Sequence, residues 1–214
     1  MRKIFDMDNP LMRALSVAAD LLVLNLLVML CCLPVFTAGA GFTAMNLVLL
    51  RQVRGEEGYL LRPFFRAFAE NFKKATLLWL IILAALLFVA ADYLAASALV
   101  PTLRVLIVAV GVLVLAWAMY AFALLCRYEN SLGKTMKNAA ALMVAFFPRT
   151  LGMVAFTGGF WLLALKFPSI GAPLLVMFGL SLPCYVALFL LNGVFDKLEG
   201  NDSPAEDEME DIEQ

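Results

Sequence analysis

Apolar residues in this chain come in long unbroken runs separated by short clusters of charge, and the runs define the elements. Residues 21–50 carry no charged side chain and are bracketed by Asp20 and Arg51. One straight helix of that length would measure about 45 Å against a hydrocarbon core of ~30 Å. Its middle, Leu33-Pro34-Val35-Phe36-Thr37-Ala38-Gly39-Ala40-Gly41, holds a proline and two glycines, which disfavour helix. The run therefore predicts a hairpin, with a first span near 14–33 and a short second near 36–51 that either crosses or re-enters. Residues 77–91 are all apolar and predict a third span near 76–98; residues 105–126, free of charge, predict a fourth near 103–126. A fifth, near 150–166, runs through Gly158-Gly159, and a sixth, near 170–195, contains Pro183 as its expected kink.

The long connections are patterned too. Leu60, Leu61, Phe64, Phe65, Phe68 and Phe72 recur at helical spacing, Arg62, Arg66, Glu70, Lys73 and Lys74 take other faces, and Pro63 suits a first turn. An amphipathic helix near 60–74 follows, lying at the membrane interface or docking another protein. Met136, Ala139, Ala140, Met143 and Phe147 form a second apolar row near 134–147, with Lys134 and Lys137 off it and Pro148 after it. The two halves suggest a repeated unit of span, interfacial helix and span. Beyond them, residues 199–214 are acidic, nearly free of aromatics, and expected to be a solvated disordered tail.

Composition sharpens this picture. Of 214 residues 64% are hydrophobic and 15% charged, with a mean hydropathy of +0.91; soluble domains run nearer 45–50% apolar and about 25% charged. The net charge of −1 hides a polarised chain, since residues 1–195 carry 15 Lys/Arg against 8 Asp/Glu and the remainder 1 against 9. With six crossings, Arg2, Lys3, Arg13, Arg51, Arg54, Arg62, Arg66, Lys73, Lys74, Arg127, Lys134, Lys137, Arg149 and Lys197 share one side, leaving Arg104 and Lys166 opposite. That asymmetry predicts both termini in the cytoplasm. Basic residues sit at helix ends rather than in a stripe, which gives nucleic-acid binding no support, and no nucleic-acid partner is expected. There is no histidine and no CxxC, and Cys31, Cys32, Cys126 and Cys184 fit no framework, so no metal or cofactor is expected and the thiols read as buried and inert.

Candidate chemistry is confined to a few polar residues. A charge at a span's centre costs about 2.5–3.5 kcal/mol on insertion scales, and only Asp20 and Asp92 qualify. Paired aspartates would suit an intramembrane protease, yet Asp20 lies roughly 9 Å and Asp92 roughly 27 Å from the same surface. Asp92 is expected to pair with Arg104 across a turn at 99–103, or else to relay protons or cations. Asp20 and Asn25 are expected to form interhelical hydrogen bonds, with substrate contact as the alternative. Thr43 and Asn46, together with Pro34, Gly39 and Gly41, mark a broken helix that either binds ions or polar solutes or serves only to turn the chain. The candidate intramembrane polar site is thus Asp20, Asn25, Thr43, Asn46, Asp92 and Arg104. The candidate partner or lipid interface is Arg62, Phe64, Phe65, Arg66, Phe68, Phe72, Lys73 and Lys74. No phosphate-loop, H-E-x-x-H or G-x-S-x-G motif occurs, the Gly55-Glu56-Glu57-Gly58 turn is anionic, and an enzyme is not expected.

Leu33-Pro34-Val35-Phe36-Thr37-Ala38-Gly39, Arg51-x-x-Arg-Gly-Glu-Glu-Gly58 and Phe64-Phe65-Arg66-Ala67-Phe68-Ala69-Glu70-Asn71-Phe72-Lys73-Lys74-Ala75 together resemble the YesL family, bacterial integral membrane proteins carrying a domain of unknown function. The resemblance is densest over 1–80. It implies a bacterial inner-membrane protein linked to carbohydrate uptake and supplies no catalytic or ligand residues; the acidic end lies outside the family's pattern. The reading is an all-α polytopic membrane helical bundle of about six transmembrane helices with two cytoplasmic interfacial amphipathic helices. Its expected function is an accessory or regulatory component associated with transport, and the alternative is a small solute or ion transporter or channel with a path near the first hairpin and Asp92. Expected partners are the lipid bilayer, transporter subunits or another membrane protein, and a second copy of the chain as a homo-oligomer.

Overall fold

A computed structural model of the chain describes residues 10–56, 58–96, 103–128 and 130–201. The described residues are all-α and form a helical bundle: α1 (Pro10–Cys31), α2 (Ala38–Val53), α3 (Leu61–Ala96), α4 (Leu103–Arg127), α5 (Leu132–Ala145), α6 (Phe147–Lys166), α7 (Pro168–Phe178) and α8 (Ser181–Asn201).

The first hairpin forms where the proline and glycines demand it. Pro34 ends α1, a single 3₁₀ turn over Val35–Thr37 reverses the chain, and the Thr37 hydroxyl donates to the carbonyls of Pro34 and Cys31. α2 returns antiparallel to α1, with Gly41 against Val28 and Cys31, and Gln52 bonded to Asp20. It stops in a glycine C-cap. Gly55, at φ 74°, lets its own N–H reach the Gln52 carbonyl and the Glu56 N–H reach that of Arg51, each at 3.0 Å. An Arg51–Glu56 ion pair of 2.8 Å closes the same turn.

The structure corrects the next two elements. The amphipathic helix near 60–74 and the third span near 76–98 are one helix, α3, of 36 residues and about 54 Å. Lys73-Lys74-Ala75-Thr76 contains neither proline nor glycine, so nothing interrupts the backbone ladder where polarity changes. The repeated unit breaks down here, because its second copy does bend: α5 and α6 meet at 95° beside Pro148. On α5 the predicted row holds at Ala139, which is buried, and at Met136 and Met143, which pack against the core; Ala140 faces outward, Thr135 is buried instead, and Phe147, also exposed, belongs to the start of α6.

The last apolar run is also two helices. α7 and α8 meet at 61°, and the break falls at Gly179-Leu180 rather than at Pro183. Pro183 sits in the first turn of α8, where an N–H has no intrahelical acceptor to lose. α8 runs on to Asn201, so the expected tail loses its first residues to helix; the rest of it lies outside the described residues.

α3 and α4 are long and apolar enough to cross a membrane, which fits a membrane protein. The bent pairs α5–α6 and α7–α8 pass the same test when each is taken as a unit, and α1 offers a shorter apolar stretch at Leu15–Cys31. Against six expected crossings, the described residues hold two helices, or up to four with each bent pair taken as one, that are long and apolar enough to cross. Register explains part of the difference. Gly39 is wedged against the Ala75 carbonyl and the Trp79 side chain, and Trp79 Nε1 donates to the Val35 carbonyl at 2.8 Å. α2 and α3 make the most extensive helix pair in the bundle. From that wedge α2 runs back along the charged half of α3, not beside its apolar half.

Candidate functional site

Each break in the helices frees backbone groups, and in an apolar interior these must find partners. At the α7–α8 break the partner is Asn25 from α1, a fully buried side chain. Its Nδ2 donates to the Val176 carbonyl at 2.7 Å, and its Oδ1 accepts from the N–H groups of Leu180 and Ser181 at 2.8 and 3.1 Å. Val176 and Leu180 are the i and i+4 partners of a regular helix. The amide therefore stands inside one rung of the ladder and bridges it, an identifiable cause of a sharp bend.

Thr150 does the same at the α5–α6 bend. Its hydroxyl donates to the Met143 carbonyl at 2.9 Å and lies 2.9 Å from the Tyr120 hydroxyl of α4. Two of the remaining candidates are spent within their own helix: Thr43 Oγ1 donates to the Gly39 carbonyl, and Asn46 Nδ2 to that of Phe42. Asn46 Oδ1 also accepts the Cys184 thiol of α8 at 3.4 Å. Asp20 accepts from Gln52 Nε2 at 2.8 Å. The interhelical role expected for Asp20 and Asn25 is present, but the two do not share a site. Asp92 is exposed near the far end of α3, and most of the turn proposed to join it to Arg104 lies outside the described residues. Ion pairs among the described residues are at Arg51–Glu56 and Arg66–Glu70.

The charged half of α3 sorts its side chains cleanly. Phe64 is fully buried, Ala67 nearly so, and Phe68 and Phe72 pack against the core. Phe65 is 55% exposed, and Arg62, Arg66, Lys73 and Lys74 are exposed as well. The Glu70 carboxylate accepts from Arg66 Nε at 2.8 Å. Lys74 Nζ reaches the Asn130 carbonyl at 3.4 Å, tying α3 to the α4–α5 connection. The expected interface is therefore divided, with its phenylalanines mostly turned into the bundle and its cations outward.

Sequence reasoning missed a cavity of about 480 Å³ walled by α2, α3, α4, α6 and α8. Trp79, Ile82 and Leu86 line it from the apolar half of α3, and Thr157, Gly158 and Trp161 from α6. Its polar atoms are few, and Asn46 and Cys184 are already bonded to each other. The space is open on one side rather than sealed, so whatever surrounds the bundle there can enter it. Water has too few partners there to fill it. Gly158-Gly159 carried a signal of sorts: a Cβ added at either glycine would meet no other atom within 4 Å.

Residues 21–93 match a family model described as a protein of unknown function, DUF624. The matched stretch runs from within α1, through the hairpin and α2, almost to the end of α3. No curated protein and no solved structure matches the chain.

Proposed function

We propose that this chain is an integral membrane accessory or regulatory component of a transport system, of the YesL type and linked to carbohydrate uptake, and is not itself a carrier or an enzyme. The observation that carries this reading is where the polar groups go. Asn25, Thr43, Asn46 and Thr150 are spent on the chain's own backbone and side chains, and the cavity between α2, α3, α4, α6 and α8 has an almost wholly apolar wall. A hydrophilic solute or ion would find no continuous set of polar partners along it. The exposed cations and Phe65 on the charged half of α3 are then the surface left for another membrane protein.

In this reading α3, α4, α6 and the α7–α8 pair cross a bacterial inner membrane, and α1–α2 enters and leaves from one side. That arrangement suits the pairing of α2 with the charged half of α3. It also keeps both termini in the cytoplasm, as the cation distribution asks. A photo-crosslinker placed at Phe65 or Arg66 in native membranes is expected to capture a subunit of a carbohydrate uptake system. Solute flux through liposomes holding the purified protein alone would overturn the proposal in favour of a transporter or channel.

A further inference from the structure

We infer that the cavity is a binding site for one hydrocarbon chain of a bilayer lipid, admitted from the membrane between α4 and α6. The inference rests on the membrane reading above but not on any transport partner. Its wall determines the chemistry of the occupant. Apolar side chains of five helices line a half-open space that offers water almost no polar partners, and it lies along the apolar half of α3, where lipid chains are the solvent.

The mouth is marked by residues that both line the cavity and face outward: Val112 and Leu115 on α4, and Trp161 on α6. Gly158 stands beside Trp161 on the same face of α6, and its missing side chain keeps the entrance open. Nearer the base, α4 and α6 are joined through Tyr120 and Thr150, which closes the slot at that end. A slim, flexible chain fits such a slot, whereas a charged headgroup would find no counter-charge along the wall.

The chain's three tryptophans provide the assay, because Trp79 and Trp161 line the cavity while Trp117 turns its indole N–H to the Met136 carbonyl. Two single-tryptophan proteins are reconstituted into phosphatidylcholine vesicles carrying bromine on the acyl chains. One keeps Trp79 (Trp117→Phe, Trp161→Phe) and the other keeps Trp161 (Trp79→Phe, Trp117→Phe). Trp161, exposed at the mouth, reports on membrane insertion; if it is not quenched, the membrane reading itself fails. Trp79, deeper in, is expected to be quenched, and Gly158→Leu, which fills the cavity from α6, is expected to abolish that quenching while leaving Trp161 quenched. Val112→Phe blocks the mouth from α4 without adding a second indole and provides the same test if Gly158→Leu does not fold. Trp79 quenching that is absent, or indifferent to both substitutions, overturns the proposal. So does quenching that falls as protein crowds the vesicles, which would make a second copy of the chain the occupant.

Discussion

Replacing Asn25 with leucine tests whether one side chain holds the break in the last apolar run. Leucine has the same branched outline and the same number of side-chain heavy atoms, so no cavity is left; its greater bulk can only add to the loss of polar contacts. Three hydrogen bonds of 2.7 to 3.1 Å disappear, leaving the Val176 carbonyl and the N–H groups of Leu180 and Ser181 without that partner. Interhelical bonds in membrane bundles average about 0.6 kcal/mol each, while buried bonds in soluble proteins reach about 1.5 kcal/mol. Three of them give a loss of roughly 2 to 4.5 kcal/mol, or about 30- to 1,600-fold in the folding equilibrium at 1.4 kcal/mol per tenfold. Reversible unfolding in mixed micelles, followed by circular dichroism and tryptophan fluorescence, measures it. Relief of the loss could come only if Leu180 N–H rejoined the Val176 carbonyl and α7 and α8 straightened into one helix. A distance between spin labels on α7 and α8 reads that directly. A loss under about 0.5 kcal/mol with the 61° bend unchanged would refute the assignment, because the freed groups would then cost nothing.

Further substitutions probe the other joints. Phe64→Ala is expected to cost about 3–5 kcal/mol and Phe65→Ala well under 1 kcal/mol in the same unfolding assay, because the first is buried and the second faces out. Gly39→Ala drives a methyl into the Ala75 carbonyl and the Trp79 side chain, and is expected to lower stability by about 1–3 kcal/mol and to weaken the α2–α3 pairing seen by cysteine crosslinking. Tyr120→Phe and Thr150→Val are each expected to cost about 1 kcal/mol, with the double variant costing less than their sum, since they share one hydrogen bond.

The sequence alone determined the class of object and most of its helices. Hydropathy is a local quantity, so long apolar runs announce themselves. The fourth span rests on that alone, and the hairpin at Pro34 and the glycine turn after α2 rest on backbone preferences of single residues. The fusion of the amphipathic helix with the third span was less legible, because a change of polarity looks like a boundary although nothing in Lys73-Lys74-Ala75-Thr76 breaks a helix. Pro183 misled for the opposite reason, since a proline breaks a helix only where its missing N–H is needed.

What only the tertiary structure decided is where each polar side chain is spent and what the helices enclose. Asn25 and Val176 are 151 residues apart, and no spacing rule along the chain relates an amide on one helix to a carbonyl freed on another. The cavity is likewise the leftover volume of five packed helices. Each wall residue reads locally as ordinary membrane sequence, and the space among them exists only once their relative positions are set by side chains in contact.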